Sequence, residues 1–199
     1  MTVGVVLVHF RFWPEVKRTL EALFDQTRLP DQVLVVDDCS GDGSVEALRG
    51  ARPDLEILVA PHNRGAIANF NAGLREMRRR GVDAVLLLTR EALLERDVLE
   101  QLVGRLEAGP GVGAAGPLLG FLSRPGLVFS AGGELLPHTW QNPHAGMYEP
   151  LEDWRRRETR RVPWLDGACV LVRTGALADT GLLPSATSTT TTTSSSACG

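Results

Sequence analysis

The side chains best suited to chemistry stand where apolar runs end. Val33-Leu34-Val35-Val36 stops at Asp37-Asp38, and Cys39-Ser40-Gly41-Asp42-Gly43-Ser44 follows. An ionised carboxylate accepts hydrogen bonds and donates none, so Asp38 suits a ligand edge that presents N–H groups. Asn63-Arg64-Gly65 opens a stretch that also holds Asn69 and Asn71. Ala84 to Leu88 runs into Thr89-Arg90-Glu91, which sets a guanidinium suited to phosphate beside a carboxylate suited to a hard cation. Acidic and polar groups at the carboxyl ends of successive strands line the crevice of an open α/β sheet, where ligands bind.

The elements that must position these groups alternate along the chain. Val3 to Val8 is a continuous apolar run rich in β-branched residues, the pattern of a strand buried on both faces. Pro14 suits the first turn of a helix through Phe24, with Val16, Leu20, Leu23 and Phe24 on one face. Strands are expected at 33–36, 55–59 and 84–88. Helices are expected from Ser44 to about Leu48, from Ala66 to Arg80 with Gly81 ending it, and from Asp97 to Leu106. This order predicts a mostly parallel sheet with helices on both faces. Beyond Gly109 the chain turns to Gly, Pro and irregular apolar segments. Val128 to Leu135 reads as a strand and turn, and Val162-Pro163-Trp164-Leu165-Asp166-Gly167-Ala168 as a turn feeding a buried strand over 169–173.

At 199 residues, with 43% hydrophobic residues, the chain fits one sizeable soluble domain. We expect that domain to span 1–183, with a ligand-binding half over 1–108 and a second half over 109–183. A net charge of -3 gives no reason to expect nucleic acid as a partner. Cys39, Cys169 and Cys198 form no even framework and no metal spacing, so the reducing cytoplasm is the expected compartment. The opening apolar run is too short for a membrane span and lacks a basic flank. Membrane association, at the inner face, would have to come from a downstream part.

In series, these motifs resemble the family 2 glycosyltransferases. Val36-Asp37-Asp38-Cys39-Ser40-Gly41-Asp42-Gly43-Ser44 matches the family's Val-Asp-Asp-x-Ser-x-Asp-Gly-Ser/Thr throughout. Asn63, Gly65, Asn69 and Asn71 match its Asn-x-Gly with following asparagines, and Trp164, Gly167 and Ala168 match Trp-x-x-Gly-Ala. Each motif alone is weak, whereas the ordered set is specific. The resemblance implies a GT-A fold, Rossmann-like and here incomplete at its C-terminus. It also implies transfer of a sugar, with inversion, from a nucleotide-diphosphate sugar to a hydroxyl of a saccharide, lipid or metabolite. By that analogy Asp38 meets the base edge, and backbone near Val8 and His9 lines the same pocket. Asn63, Gly65 and Asn71 wall the ribose and phosphates, and Trp164 and Asp166 shape the acceptor side. The family's Asp-x-Asp-like cation site is here Thr89-Arg90-Glu91. Glu91 alone keeps a carboxylate for Mg²⁺ or Mn²⁺, and Arg90 can pair with phosphate instead. The family's catalytic base comes from an aromatic acidic segment that this chain lacks, so the catalytic residue is unassigned and the chain is expected to bind donor poorly or to be inactive.

Blander readings stand beside these. Asp37-Asp38 and Asn63-Arg64-Gly65 also suit plain turns, Glu91 before Ala92-Leu93-Leu94 a helix start, Trp164 a core position, and the arginines at 155–157 and 160–161 a solvated face. A dinucleotide-dependent oxidoreductase would need G-x-G-x-x-G after the first strand, where His9-Phe10-Arg11-Phe12-Trp13-Pro14 has no glycine. A non-catalytic nucleotide- or sugar-binding module would share the Asp38 pocket and account for the altered Thr89-Arg90-Glu91. The tail after Pro184 is almost wholly Ser and Thr. It reads either as a disordered linker or as a frameshift. Shifted one frame, its Thr codons become Tyr, His, Asn or Asp, which resembles the missing aromatic acidic segment. A sheet cut short there would expose apolar surface beside Val170 to Val172.

Overall fold

The computed structural model describes residues 1–136 and 141–184. Along the chain run β1 (Val3–His9), α1 (Trp13–Phe24), β2 (Gln32–Asp37), α2 (Ser44–Ala51), β3 (Glu56–Val59), α3 (Ala66–Arg79), β4 (Ala84–Thr89), α4 (Val98–Ala108), β5 (Ala114–Ala115), β6 (Leu119–Gly120), β7 (Val128–Ser130), α5 (Leu151–Arg155), β8 (Cys169–Arg173) and α6 (Ala176–Thr180). The alternation over the first hundred residues is the one expected. The Ser/Thr tail, with both readings of it, lies outside the described residues.

All seven residues of β1 are buried, which requires cover on both faces. Successive side chains point to opposite faces. On one face Val3, Val5 and Leu7 pack with Val16, Leu20 and Leu23 of α1, Leu48 of α2 and Leu99, Leu102, Val103 and Leu106 of α4. On the other, Val6 and Val8 pack with Phe70, Leu74 and Met77 of α3. The main sheet has the order β3-β2-β1-β4-β8-β5. The four strands from β3 to β4 are parallel, whereas β8 is antiparallel to both β4 and β5. The chain winds outward from β1 to β3 and then returns through α3 to β4 on the other side of β1. The carboxyl ends of β1 and β4 therefore flank the point where the strand order reverses, the place where open α/β sheets take their ligands. A smaller antiparallel pair, β6 and β7, stands beside the main sheet.

Two expectations change. Ala92-Leu93-Leu94 forms no helix, since α4 begins only at Val98, so Glu91 is a loop carboxylate and not a helix-start residue. Nor is the surface beside Val170 to Val172 left bare. Val170 and Val172 are half-buried and, with Leu182 and Leu183, pack against the α3-side core.

α3 lies so close to the sheet that a Cβ on Gly73 would sit 2.3 Å from Cγ1 of Val6. Adding that methyl forces a shift of backbone in a packed core, at a cost of about 1–3 kcal/mol, against a gain of about 1 kcal/mol in helix propensity. Gly104, in α4, has nothing within 4 Å of the same position. Urea unfolding should therefore show Gly73→Ala destabilised and Gly104→Ala unchanged or stabilised. Equal behaviour of the two variants would contradict the close α3–β1 approach.

Candidate functional site

The ends of β1 and β2 are tied together by the side chains that the sequence singled out. Asp37 accepts hydrogen bonds from the amide (2.9 Å) and the hydroxyl of Ser40. Ser40 Oγ in turn accepts the amide of Arg11 at 2.8 Å. Asp42 accepts the amides of Ser44 and Phe12, each at 3.1 Å. The loops after β1 and β2 thus exchange side chain to backbone bonds. Gly41 and Gly43 provide the left-handed conformations that this tight path needs, with φ of 59° and 81°. Burial works against ionisation of Asp42, but the bonds from Ser44 and Phe12 outweigh it and hold its carboxyl below the usual range.

His9 closes β1 and is fully buried. Its Nε2 lies 2.8 Å from Ser44 Oγ and 3.8 Å from Asp37 Oδ1. Ser44 spends its single proton on Asp42, so His9 Nε2 must be the donor in that contact. Nδ1 is then a lone-pair acceptor, and it is buried without a partner. Burial lowers the pKa of His9 below 6.5, against the opposing pull of Asp37. The imidazole is therefore neutral at neutral pH.

Asp38 is 3% exposed, and both of its carboxylate oxygens are engaged. Oδ1 accepts the amide of Arg64 at 2.7 Å and Oδ2 the amide of Gly65 at 2.9 Å. Gly65 adopts φ 79°, a conformation that favours glycine. Asp38 thereby pins the turn that carries Asn63, an exposed residue, to the end of β2. Each carboxylate oxygen keeps a second lone pair. Arg64 extends the arrangement by donating to Asn69 Oδ1 at 2.9 Å, while the buried Asn69 Nδ2 has no partner.

Arg90, just past β4, donates to the carbonyl of Phe10 at 2.7 Å and pairs with Glu15 at 3.1 Å. This places it against the loop after His9. Glu91 is largely exposed and its nearest charged neighbour is Arg90, 4.0 Å away. The described residues contain no group of three or more His, Cys, Asp or Glu side chains that could hold a metal ion. Glu91 is an open carboxylate, a group of the kind that suits a cation drawing most of its ligands from phosphate oxygens.

Val8, His9, Asp38, Asn63, Gly65 and Arg90 thus belong to neighbouring loops and strand ends at one edge of the sheet, with Val8, His9 and Asp38 buried. Asn71 is turned elsewhere. Its amide donates to the Leu183 carbonyl at 2.8 Å and accepts the Leu183 amide at 3.0 Å. Trp164 and Asp166 belong to the segment before β8, which the Ala168 carbonyl joins to the Thr89 amide at 3.0 Å. The Trp164 indole lies over the backbone of Gly133, where any Cβ would collide with it, and packs edge-on against His144. Asp166 accepts the Ala168 amide at 2.9 Å and faces His144 Nδ1 at 3.7 Å. His144 was not legible in the sequence, because it sits in an irregular stretch with no periodic or motif signal. Arg155, Arg156, Arg157 and Arg160 each pair with a carboxylate, as a solvated face does. A cavity of about 270 Å³ lined by Leu58, Arg75 and Arg79 lies away from all of this, between β3 and α3.

The profile of the family described as Glycosyl transferase family 2 matches residues 5–143. The chain belongs to that family. It is 26% identical over 195 residues to an N-acetylglucosaminyl-diphospho-decaprenol L-rhamnosyltransferase of Mycobacterium tuberculosis, a match covering 89% of this chain and 63% of the relative. It is 24% identical over 141 residues to the uncharacterised glycosyltransferase YwdF of Bacillus subtilis, covering 70% of this chain and 51% of that protein. The chain therefore spans less than two thirds of the length of either relative. Among solved structures it resembles the mannosyltransferase PcManGT of Pyrobaculum calidifontis in complex with GDP-Man and Mn²⁺, with a TM-score of 0.65, 22% identity and coverage of 92% of this chain and 48% of that one. It also resembles S. aureus TarS 1-349 in complex with UDP-GlcNAc, with a TM-score of 0.63, 17% identity and coverage of 92% and 49%. The fold is accordingly GT-A.

Two outcomes follow from this geometry. In Asp38→Asn an N–H group replaces an oxygen that faces a backbone N–H, so the variant should lose about 1–3 kcal/mol of stability in the absence of any ligand. An Asp38→Asn chain as stable as the parent in urea would show that the carboxylate does not hold the 63–65 turn. His9 sets a pH dependence. Below pH 6.5 the unfolded imidazole binds a proton that the folded one resists, so stability falls as pH drops from 6.5 toward the lowered folded pKa. The urea midpoint should decline between pH 7.5 and 5.5 in the parent and change less in His9→Gln. Identical slopes would rule out His9 as the source.

Proposed function

We propose that this chain is the donor-binding and part of the acceptor-binding region of an inverting glycosyltransferase, which moves a hexosyl group from a nucleotide-diphosphate sugar to a hydroxyl. The observation that carries the reading is the Asp38 clamp on the Arg64-Gly65 turn beside His9, at the point where the strand order reverses, in a chain of this family. In this reading residues 1–108 bind the donor and 109–183 face the acceptor, all within one domain over 1–183. The base edge meets the remaining lone pairs of Asp38, next to Val8 and His9. Asn63 and Gly65 wall the ribose and phosphates, whereas the Asn71 side chain is held on the Leu183 backbone. Arg90 would have to give up its bonds to Phe10 and Glu15 to offer charge to the diphosphate. Glu91 would hold Mg²⁺ or Mn²⁺ together with diphosphate oxygens, and the bound cation would supply Lewis-acid stabilisation of the leaving group. Solved neighbours with GDP-Man and Mn²⁺ or with UDP-GlcNAc support a nucleotide-sugar donor and a cation.

The name of the mycobacterial relative specifies a lipid-linked saccharide acceptor. In this reading the acceptor is of that class and is met at the inner face of the membrane; no described helix is long and apolar enough to cross one. A second reading, a non-catalytic nucleotide- or sugar-binding module, is favoured by one observation. Arg90 is already spent on Phe10 and Glu15, and a single carboxylate stands at the cation position.

A thermal-shift titration with UDP, GDP and dTDP, each with and without Mn²⁺, tests the donor site. One nucleotide should raise the melting temperature, since a ligand at 100 times its Kd adds about 2.7 kcal/mol to the folded state. Glu91→Ala should abolish the part of the shift that depends on Mn²⁺ and leave the rest. A cooperatively melting protein that responds to none of the three nucleotides would overturn the donor-site reading. Binding without any release of nucleoside diphosphate from a nucleotide sugar would favour the binding module.

A further inference from the structure

α3 starts in a way that suits an anion. It is 14 residues long, and its first turn carries neither a side-chain cap nor an acidic residue. The first bond inside the helix runs from the Asn69 amide to the Gly65 carbonyl at 3.3 Å. Helix geometry therefore leaves the amides of Ala66, Ile67 and Ala68 without a partner in the helix, at the positive end of its dipole. Nothing lies within 4 Å of the place a Cβ would take on Gly65, so the turn is open there. Arg64, an exposed residue, stands just before it. A helix end by itself is common, and a second feature sets this one apart. Asn69 is fully buried. Its Oδ1 accepts a hydrogen bond from Arg64 Nη2 at 2.9 Å, which aims the carboxamide at the residue that leads into the helix. A guanidinium only donates, so the oxygen must face it, and Nδ2 is the end left over. That Nδ2 is buried without a partner, a costly state until an acceptor reaches it. The free amides, Arg64 and Nδ2 are all donors, and the group they lack is an anion with several oxygens. Asp38 brings a carboxylate to the same turn, but both its oxygens are already engaged by the amides of Arg64 and Gly65.

We propose that the N-terminus of α3, together with Arg64 and Asn69, is a phosphate site. The source of the phosphate rests on the donor-site reading. With the base edge on Asp38, which is bonded to the Arg64-Gly65 turn, the phosphate next to the nucleoside is the one that reaches α3. One phosphate oxygen takes the amides of the first turn, as anions at helix ends do. A second pairs with Arg64, whose guanidinium has further N–H groups to offer while Nη2 stays on Asn69. A third gives Asn69 Nδ2 the acceptor it lacks. Asn69 thus both orients Arg64 and touches the ligand. The site grips the donor by a phosphate separately from Glu91, so this part of the affinity does not depend on the cation.

The test is calorimetric titration of the 199-residue chain without metal. The probes are UDP, GDP and dTDP, their nucleosides uridine, guanosine and thymidine, and inorganic phosphate. Two variants are compared with the parent. Arg64→Ala keeps the backbone amide that Asp38 holds. Ile67→Glu puts an acid at an exposed position of the first turn, where it competes with an anion yet favours the helix. Its urea midpoint should equal or exceed that of the parent, which separates lost binding from lost fold. We expect the preferred nucleotide to bind each variant about tenfold more weakly, as the loss of a charge-assisted hydrogen bond implies. Its nucleoside should bind all three chains equally. Unchanged nucleotide affinity in either variant overturns the phosphate site and leaves the donor site standing. An equal loss for nucleoside and nucleotide also overturns it, because the damage then lies on the base side. A parent that binds no nucleotide sinks the donor-site reading, and inorganic phosphate then decides the rest. It binds the parent and not Ile67→Glu if the site is real, and treats the two alike if it is not.

Discussion

Backbone groups at the ends of buried strands must find partners, and this structure is organised around how they do so. β1 and β2 end in buried residues, and the loops that follow them pass from that buried ground to the exposed Arg11, Phe12 and Gly41–Gly43. The amides of Arg11, Phe12, Ser40 and Ser44 and of the Arg64-Gly65 turn are taken up by Ser40, Asp42, Asp37 and Asp38. An unpaired amide in such a place costs about as much as one or more ordinary hydrogen bonds contribute. The acidic, hydroxyl-rich motif after β2 therefore answers a structural need before it answers a chemical one.

This double duty explains why the motif was readable and why its roles were not. Residue types and spacing identified Asp37, Asp38, Ser40, Asp42 and Ser44 as a set. Only coordinates reveal that Asp38 holds the turn carrying Asn63, or that Ser44 relays between His9 and Asp42. The strands and helices up to Ala108 followed from apolar periodicity, a local property. Asn71 faces Leu183 across 112 residues, and no local pattern encodes such a pairing. The antiparallel direction of β8 is equally non-local, since a buried apolar run reads alike in either direction. Glu91 shows the opposite failure. Its local sequence suits a helix start, but the chain there has to pass from the end of β4 to a helix that begins at Val98, and it crosses in a loop.

The second half of the molecule achieves order by different means. Tyr148 stacks on Phe121, Phe121 meets Phe129 edge-on, Phe129 leans on His144, and His144 on Trp164. Aromatic contacts of this kind give burial and orientation with few degrees of freedom, which suits a region where only short strands are available. Glycines at 133 and 146 leave room for the indoles of Trp164 and Trp154. A segment dominated by Gly and Pro thus has a defined interior, though none of its contacts repeats at a regular interval.

The position of β8 in the main sheet fixes an order of assembly. β5 lies earlier in the chain, but it touches the sheet only through β8, which pairs with β4 on its other side. The four parallel strands can form from contacts between neighbouring elements as the chain emerges from the ribosome. β5 and its connections must wait, unpaired, until residues 169–173 arrive and slot between. The late part of such a chain bears the entropy of closing long loops and is the part that docks last. In this protein the order of synthesis and the order of docking diverge at one short strand.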